Sequence, residues 1–256
     1  MEMKRHAVVL LGRGGYSDAP KVQLAGLVKR LECTITDNLI LGAFVDQATP
    51  SLPQALDECA ESGARRILVV PVYVPDDRNL GAWILKLIKR WMANHAGEDV
   101  HVSVSRPLGD HEAIAEAVVQ IASDPVSGDH VSQVAGLSDN GEPGWSVIPP
   151  HKYHLLQCRG PRCTARGSGD TWDHLNGRLQ DEGMLDKDVL VAQTGCLYPC
   201  NLGPVMVVYP EGVWYCGMDR SAADRVVGEH FGKGQVVSDY ARTPAPQAQR
   251  MPDPSS

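Results

Sequence analysis

The sequence predicts an α/β protein of two units in tandem: a parallel sheet wound with helices, then a smaller mixed α/β unit. Three observations predict it. Strand-length apolar runs alternate with helical periodicity four times between residues 6 and 122. A stretch rich in Gly, Pro, Ser and Asp, residues 124–152, then breaks the alternation. Beyond it the order becomes strand, helix, strand, hairpin, helix, with two cysteine pairs in the loops that follow the strands. Alternating β and α signals imply parallel strands joined by right-handed crossovers, with helices on both sheet faces.

The elements follow in order. "HAVVLLG" (6–12) is an apolar run stopped by glycine, a buried first strand. "APKVQLAGLVKRLEC" (19–33) has helical spacing, with Val22, Leu24, Leu27, Val28 and Leu31 apolar. "NLILGAFV" (38–45) reads as a strand. "SLPQALDECAESG" (51–63) reads as a helix with Ser51 as N-cap, Pro53 in the first turn and Gly63 at its stop. "RRILVVPVYV" (65–74) and "DVHVSVS" (99–105) are strands. Between them "NLGAWILKLIKRWMANHAG" (79–97) is an amphipathic helix, and "DHEAIAEAVVQIASD" (110–124) is the last helix of the unit. In such sheets ligands bind at the carboxyl ends of the strands. That edge holds "GRGGYSDAP", "PVYVPDDRN" and "SRPLGDHE".

In the second unit "YHLLQC" (153–158) is a strand and "GDTWDHLNGRLQDEG" (169–183) a helix. "DVLVAQTGC" (188–196) is a second strand, "PVMVVYPEGVWYCGM" (204–218) a hairpin and "RSAADRVVGEHFG" (220–232) a helix. The expected boundaries are 1–123 for the first domain, 124–152 for a linker and 153–237 for the second domain. Residues 238–256 read as a disordered tail, on their content of Pro, Gln and Ser.

Composition narrows the function. The 256 residues carry a net charge of −7, against a general nucleic-acid binder. Only two Phe are present, so aliphatic side chains must fill the cores. The first apolar run is short and ends in glycines, unlike a signal-peptide core. No run approaches the roughly 20 apolar residues of a membrane helix. The expectation is a cytoplasmic protein with reduced thiols, bound neither to nucleic acid nor to membrane.

Five of the seven cysteines lie within residues 158–216, and in a reducing compartment such clustering favours a metal site over disulfides. Cys158 and Cys163 are spaced C-x4-C; after 32 residues Cys196 and Cys200 follow as C-x3-C. Each pair follows a strand on a glycine-containing loop. Four thiolates are what a 2Fe–2S cluster requires. Zinc also accepts four thiolates, though its pairs are commonly C-x2–4-C, and a reduced, metal-free site is the remaining alternative. Cys33, Cys59 and Cys216 lie outside this pattern and read as packed thiols. His6, His95, His101 and His230 read as surface or partly buried side chains.

"CRGPRC" with its following "GS", and "TGCLYPCNLGPVMVVYPEGVWY", resemble the two cysteine motifs of the thioredoxin-like 2Fe–2S ferredoxins, which include a subunit of NADH-dehydrogenase-type complexes. The resemblance spans residues 153–230. It implies a thioredoxin-like fold, a 2Fe–2S cluster on Cys158, Cys163, Cys196 and Cys200, and a redox partner protein.

"VVLLGRGGYSDAP", "PSLPQALDECAESGARRILVVPVYV" and "RPLGDHEAIAEAV" resemble one half of the small sirohydrochlorin chelatases of the CbiX/SirB type, over residues 6–122. The resemblance implies a flavodoxin-like half, a tetrapyrrole substrate, Co2+ or Fe2+ as substrate metal, and a homodimer that completes the cleft. That family has a histidine in a G-H-G-S motif after the first strand and another after the third. Here Arg13 stands at the first place, and "YVPDDRNLGAW" holds no histidine. A neutral histidine can bind metal and take a proton; arginine stays protonated.

The site residues this leaves are Arg13, Asp76, Asp77 and His111. Arg13 and Arg78 are suited to a substrate carboxylate, unless Arg13 pairs with Asp18. Asp76 and Asp77 are suited to a divalent metal or a proton, unless they form a solvated turn. His111 is the best-placed histidine, unless it caps the last helix with Asp110. The leading expectation is a sirohydrochlorin cobalto- or ferrochelatase-like protein of cobalamin or siroheme synthesis, a lyase carrying a 2Fe–2S cluster. The competing one is an electron-transfer ferredoxin whose first domain is an inactive binding or docking module.

Overall fold

The computed structural model describes residues 6–124 and 147–243. They fall into two compact units that divide between Ile148 and Pro149. The division lies within the stretch expected as a linker, of which residues 125–146 lie outside the described residues, as does most of the expected tail. Among the described residues no helix is long and apolar enough to cross a membrane.

The first unit runs β1 (His6–Gly12), α1 (Ala19–Thr34), β2 (Leu39–Phe44), α2 (Leu52–Glu61), β3 (Arg66–Pro71), α3 (Arg78–Asn94), β4 (His101–Val104) and α4 (Glu112–Ser123). Its four strands are parallel in the order β2-β1-β3-β4. Side chains alternate across β1 as strand geometry requires. Ala7, Val9 and Leu11 pack with Leu56 of α2 and with Ile84 and Ile88 of α3. Val8 and Leu10 face the other way, toward Leu24 and Val28 of α1. The face of α1 is narrower than expected: Leu24 is buried, but Val22 and Leu27 are exposed. α2 starts where its signals lie, with the Ser51 N–H donating to Gln54 Oε1 at 2.8 Å. β3 ends at Pro71, three residues short of the apolar run, although the Val72 N–H still reaches the Leu11 carbonyl at 2.9 Å. Cys59 is a packed thiol as expected, pushed up to about 12 by burial, whereas Cys33 is exposed on α1.

The second unit runs β5 (Tyr153–Cys158), α5 (Pro161–Thr164), α6 (Ser168–Asp181), β6 (Val189–Thr194), β7 (Val205–Tyr209), β8 (Val213–Cys216), α7 (Arg220–Arg225) and β9 (Ala241–Arg242); a π-helical segment, Val226–Phe231, continues α7. The sheet order is β6-β5-β7-β8-β9, with β5 and β6 parallel and the other pairs antiparallel. A βαβ half joined to a ββα half in this order is the thioredoxin-like arrangement. β9 lies inside the stretch expected to be disordered; it pairs Ala241 with Tyr215, so order extends at least that far. Leu155, Leu175, Leu179, Met206 and Tyr215 form the centre of the core.

His230, expected at the surface or partly buried, is 1% exposed in that core. The Tyr215 hydroxyl accepts from the Val237 N–H at 3.2 Å and shares a hydrogen bond with His230 Nδ1 at 2.9 Å. Burial holds the imidazole below its ordinary pKa, against an opposing pull from Glu211 at 3.7 Å. The unfolded chain therefore binds a proton that the folded chain resists. Stability is full above the ordinary histidine pKa of about 6.5 and falls as the pH drops from there toward the folded value. The urea midpoint of this unit is expected to decline between pH 7.5 and 5.5, and less steeply in His230→Gln. Equal slopes would show that His230 does not carry the effect.

Candidate metal centre

β5 ends at Cys158 and its parallel neighbour β6 at Thr194, and these two residues are paired. The two cysteine loops therefore leave the same sheet edge from adjacent strands. The first loop turns at Gly160 into α5, which carries Cys163. The second runs through Gly195 and Cys196 to a short 3-10 turn, Cys200–Leu202, and enters β7 after Gly203. Two glycines let the loops close on each other. A Cβ on Gly160 would lie 3.1 Å from Cys196 Cα, and one on Gly203 would lie 2.8 Å from Cys163 Sγ.

The four sulfurs form two pairs. Cys158 and Cys163 are buried and share one apolar cluster, with Cys158 Sγ 3.3 Å from the Gly195 carbonyl. Cys196 Sγ and Cys200 Sγ are 3.2 Å apart and nearer to solvent. Backbone N–H groups of Leu197 and Gly160 point to the Cys158 sulfur, that of Val205 to Cys163 and that of Tyr198 to Cys196. Hydrogen bonds to a thiolate favour it. The Cys163 thiol, helped by those N–H groups and opposed by burial, brings Cys158 down to about 6. Cys163 is raised in turn by holding the proton of the pair.

This donor set fits a 2Fe–2S cluster, which takes four thiolates, two on each iron. A single tetrahedral zinc needs its ligands around one point. Among the described residues no three His, Cys, Asp or Glu side chains gather around such a point. Cationic side chains flank the loops. Arg159, next to Cys158, is 4% exposed, with its guanidinium 5.7 Å from the Trp172 ring. Arg166 reaches from the first loop to carbonyls of the second. Cys216 is a packed thiol as expected, in one apolar cluster with Cys158, Cys163 and Val205.

In the first unit the residues expected at the sheet edge are only partly brought together. The Val45 N–H bonds to the Gly12 carbonyl and the Gly14 N–H to the Asp46 carbonyl. This continuation of the β1–β2 ladder sets Arg13 against Asp46, not Asp18. Arg13 Nε lies 2.9 Å and 3.0 Å from the two carboxylate oxygens, and Nη2 lies 2.6 Å from Oδ2. Asp46 is 3% exposed, and its hydrogen bond holds the Arg13 guanidinium above its ordinary pKa. Tyr73 lies in the same electrostatic neighbourhood as Arg13, Asp46, Asp76 and Asp77, its hydroxyl buried without a hydrogen-bond partner and its pKa raised by burial first.

Asp77, one of the expected metal or proton groups, stands at the N-terminus of α3. Its carboxylate caps α3, accepting from the Asn79 N–H at 2.9 Å and the Leu80 N–H at 3.2 Å. Asp76 is exposed, and no three ligands gather with it among the described residues. His111 precedes α4 without a side-chain cap bond and takes a hydrogen bond from Arg106 Nε at 3.3 Å. Arg78 opens α3 at the surface. Sequence reasoning missed Asp46, Tyr73 and Arg166. The first two lie just past strands of the sheet edge, a positional signal available from the sequence; nothing near Arg166 signals its partners.

Comparison with known proteins finds two kinds of relative for separate regions of the chain. Residues 7–124 match the CbiX family. A 2Fe–2S ferredoxin of Aquifex aeolicus (strain VF5) is 33% identical over 92 residues, 34% of this chain and 83% of that protein. A sirohydrochlorin cobaltochelatase of Methanocaldococcus jannaschii is 27% identical over 138 residues, 45% of this chain and 96% of that protein. Among solved structures, the wild-type thioredoxin-like [2Fe-2S] ferredoxin from Aquifex aeolicus is 28% identical with a TM-score of 0.35, over 37% of this chain and all of that one.

Proposed function

The chain belongs to the 2Fe–2S ferredoxins through its second unit and joins it to a CbiX domain, and from that premise we infer that it is a one-electron 2Fe–2S protein with a chelatase-like tetrapyrrole site. The observation that carries this reading is the arrangement of four thiols as two pairs at one sheet edge, with backbone N–H groups aimed at three of the sulfurs. Cys158, Cys163, Cys196 and Cys200 would hold the cluster, which when bound supplies one-electron transfer to a redox partner protein. The N–H donors offset the thiolate charge, and burial of Cys158 and Cys163 keeps water from that side. Reduced thiols suit a cytoplasmic setting.

The first unit would take a sirohydrochlorin-type tetrapyrrole, with Co2+ or Fe2+ as the substrate metal. The near full-length match to an archaeal cobaltochelatase supports this, and a homodimer would complete the cleft. The Arg13–Asp46 pair favours a second reading, in which the unit binds the tetrapyrrole without inserting metal. An arginine locked on a buried carboxylate takes no pyrrole proton.

Anaerobically purified protein is expected to carry two irons and two sulfides per chain, as the cluster formula requires, with 2Fe–2S absorption. Zinc in place of iron would overturn the cluster reading. Insertion of cobalt or iron into sirohydrochlorin, followed by absorbance against a metal-only control, separates the readings of the first unit. A rate above the control supports a chelatase. Binding without insertion supports the second reading, and insertion gained by Arg13→His would show that the native loop lacks the base.

A further inference from the structure

We propose that Arg166 is the positioning residue of the cluster site, fastening the loop of Cys200 onto the loop of Cys163 and fixing one positive charge near the Cys163 sulfur. The inference rests on the cluster reading above and goes beyond the ligand set.

Arg166 follows Cys163 by one short turn, and its N–H donates to the Cys163 carbonyl at 3.0 Å. Its side chain crosses to the other loop. There one guanidinium nitrogen, Nη1, lies 2.9 Å from the Cys200 carbonyl, 2.9 Å from that of Asn201 and 3.3 Å from that of Gly203. Those carbonyls belong to the 3-10 turn that carries Cys200 and to the residue after it. Such a turn exposes its last carbonyls, and a cation is a fitting partner for them.

A second observation sets this guanidinium near the Cys163 sulfur. The point a Cβ on Gly203 would occupy is 2.8 Å from Cys163 Sγ and 3.8 Å from Arg166 Nη1. The charge and a ligand sulfur thus flank the same glycine. A 2Fe–2S centre on four thiolates is anionic and becomes more so on reduction. A fixed cation at this range favours the reduced form and raises the potential. Lysine keeps the charge on a shorter arm that ends in a point-like ammonium; glutamine keeps a donor and loses the charge.

The test uses the full chain loaded with its cluster, as Arg166→Gln and Arg166→Lys beside the parent. Reduction potential is read by titration in the visible spectrum, and cluster loss by bleaching in excess chelator. Both variants are expected to lose the cluster faster, by about ten- to a hundred-fold, the usual cost of removing a supporting contact at a metal site. The potential is expected to fall in Arg166→Gln and to stay near the parent's in Arg166→Lys. Unchanged release in both variants, or a potential in Arg166→Gln equal to the parent's, overturns the proposal and leaves Arg166 a simple cap of the turn. Absence of iron from the parent itself would sink the cluster reading instead, so the two failures are distinct.

Discussion

Gly203→Ala is expected to strip iron from the protein. The added methyl would lie 2.8 Å from Cys163 Sγ and 3.3 Å from the Cys200 carbonyl. Neither neighbour can yield cheaply, because the first is a proposed ligand atom on α5 and the second is backbone. Metal–ligand distances tolerate shifts of only about 0.2 Å, so the sulfur must leave its place or the loop must open. We expect the affinity for the cluster to drop by about two orders of magnitude, the upper end for a contact supporting a metal site. Iron analysis and the visible spectrum of anaerobically purified protein measure it. Gly195→Ala is the control, since nothing lies within 4 Å of its Cβ. Equal iron in the two variants would argue against a close approach of the loops at Gly203.

Arg13→Ala is expected to destabilise the first unit through the carboxylate it abandons. Asp46 is 3% exposed and has the guanidinium on both oxygens. Breaking a fully buried pair from one side costs about 3–5 kcal/mol. The Arg13 side chain is 48% exposed, so water screens part of this, and about 2 kcal/mol is the better expectation. The urea midpoint of the first unit reports it. Arg13→Ala with Asp46→Asn should recover part of the loss, because no buried charge is then left alone. A double variant as unstable as the sum of the single ones would mean that the two side chains act independently.

Local signals made much of this molecule legible. Apolar runs closed by glycine or proline located the strands, and Ser51 with Gln54 marked the start of α2. The cysteine spacings identified the residues that the second sheet brings to one edge. Charge pairing was less legible because it depends on register. Arg13 had Asp18 nearby in sequence, but Gly12 pairs with Phe44, and the ladder beyond that pair delivers Asp46. Asp77 looked like free chemistry in "PDDRN"; the unpaired N–H groups at the start of α3 claim it. The partners of Arg166 lie 34 to 37 residues away, and no local pattern encodes that contact. β9 is two residues long, too short for periodicity to register.

The pairing of Cys158 with Thr194 has a mechanical consequence. Side chains alternate along β5, so a slip of one residue against its neighbours would turn Leu155 out of the core and Cys158 to the opposite face of the sheet. Leu155 is fully buried, and a slip would forfeit its packing. The apolar core therefore acts as the alignment gauge for the sulfur atoms. A large-to-small core change such as Leu155→Ala should thus be felt at the far end of the strand, as poorer seating of a metal that it never touches.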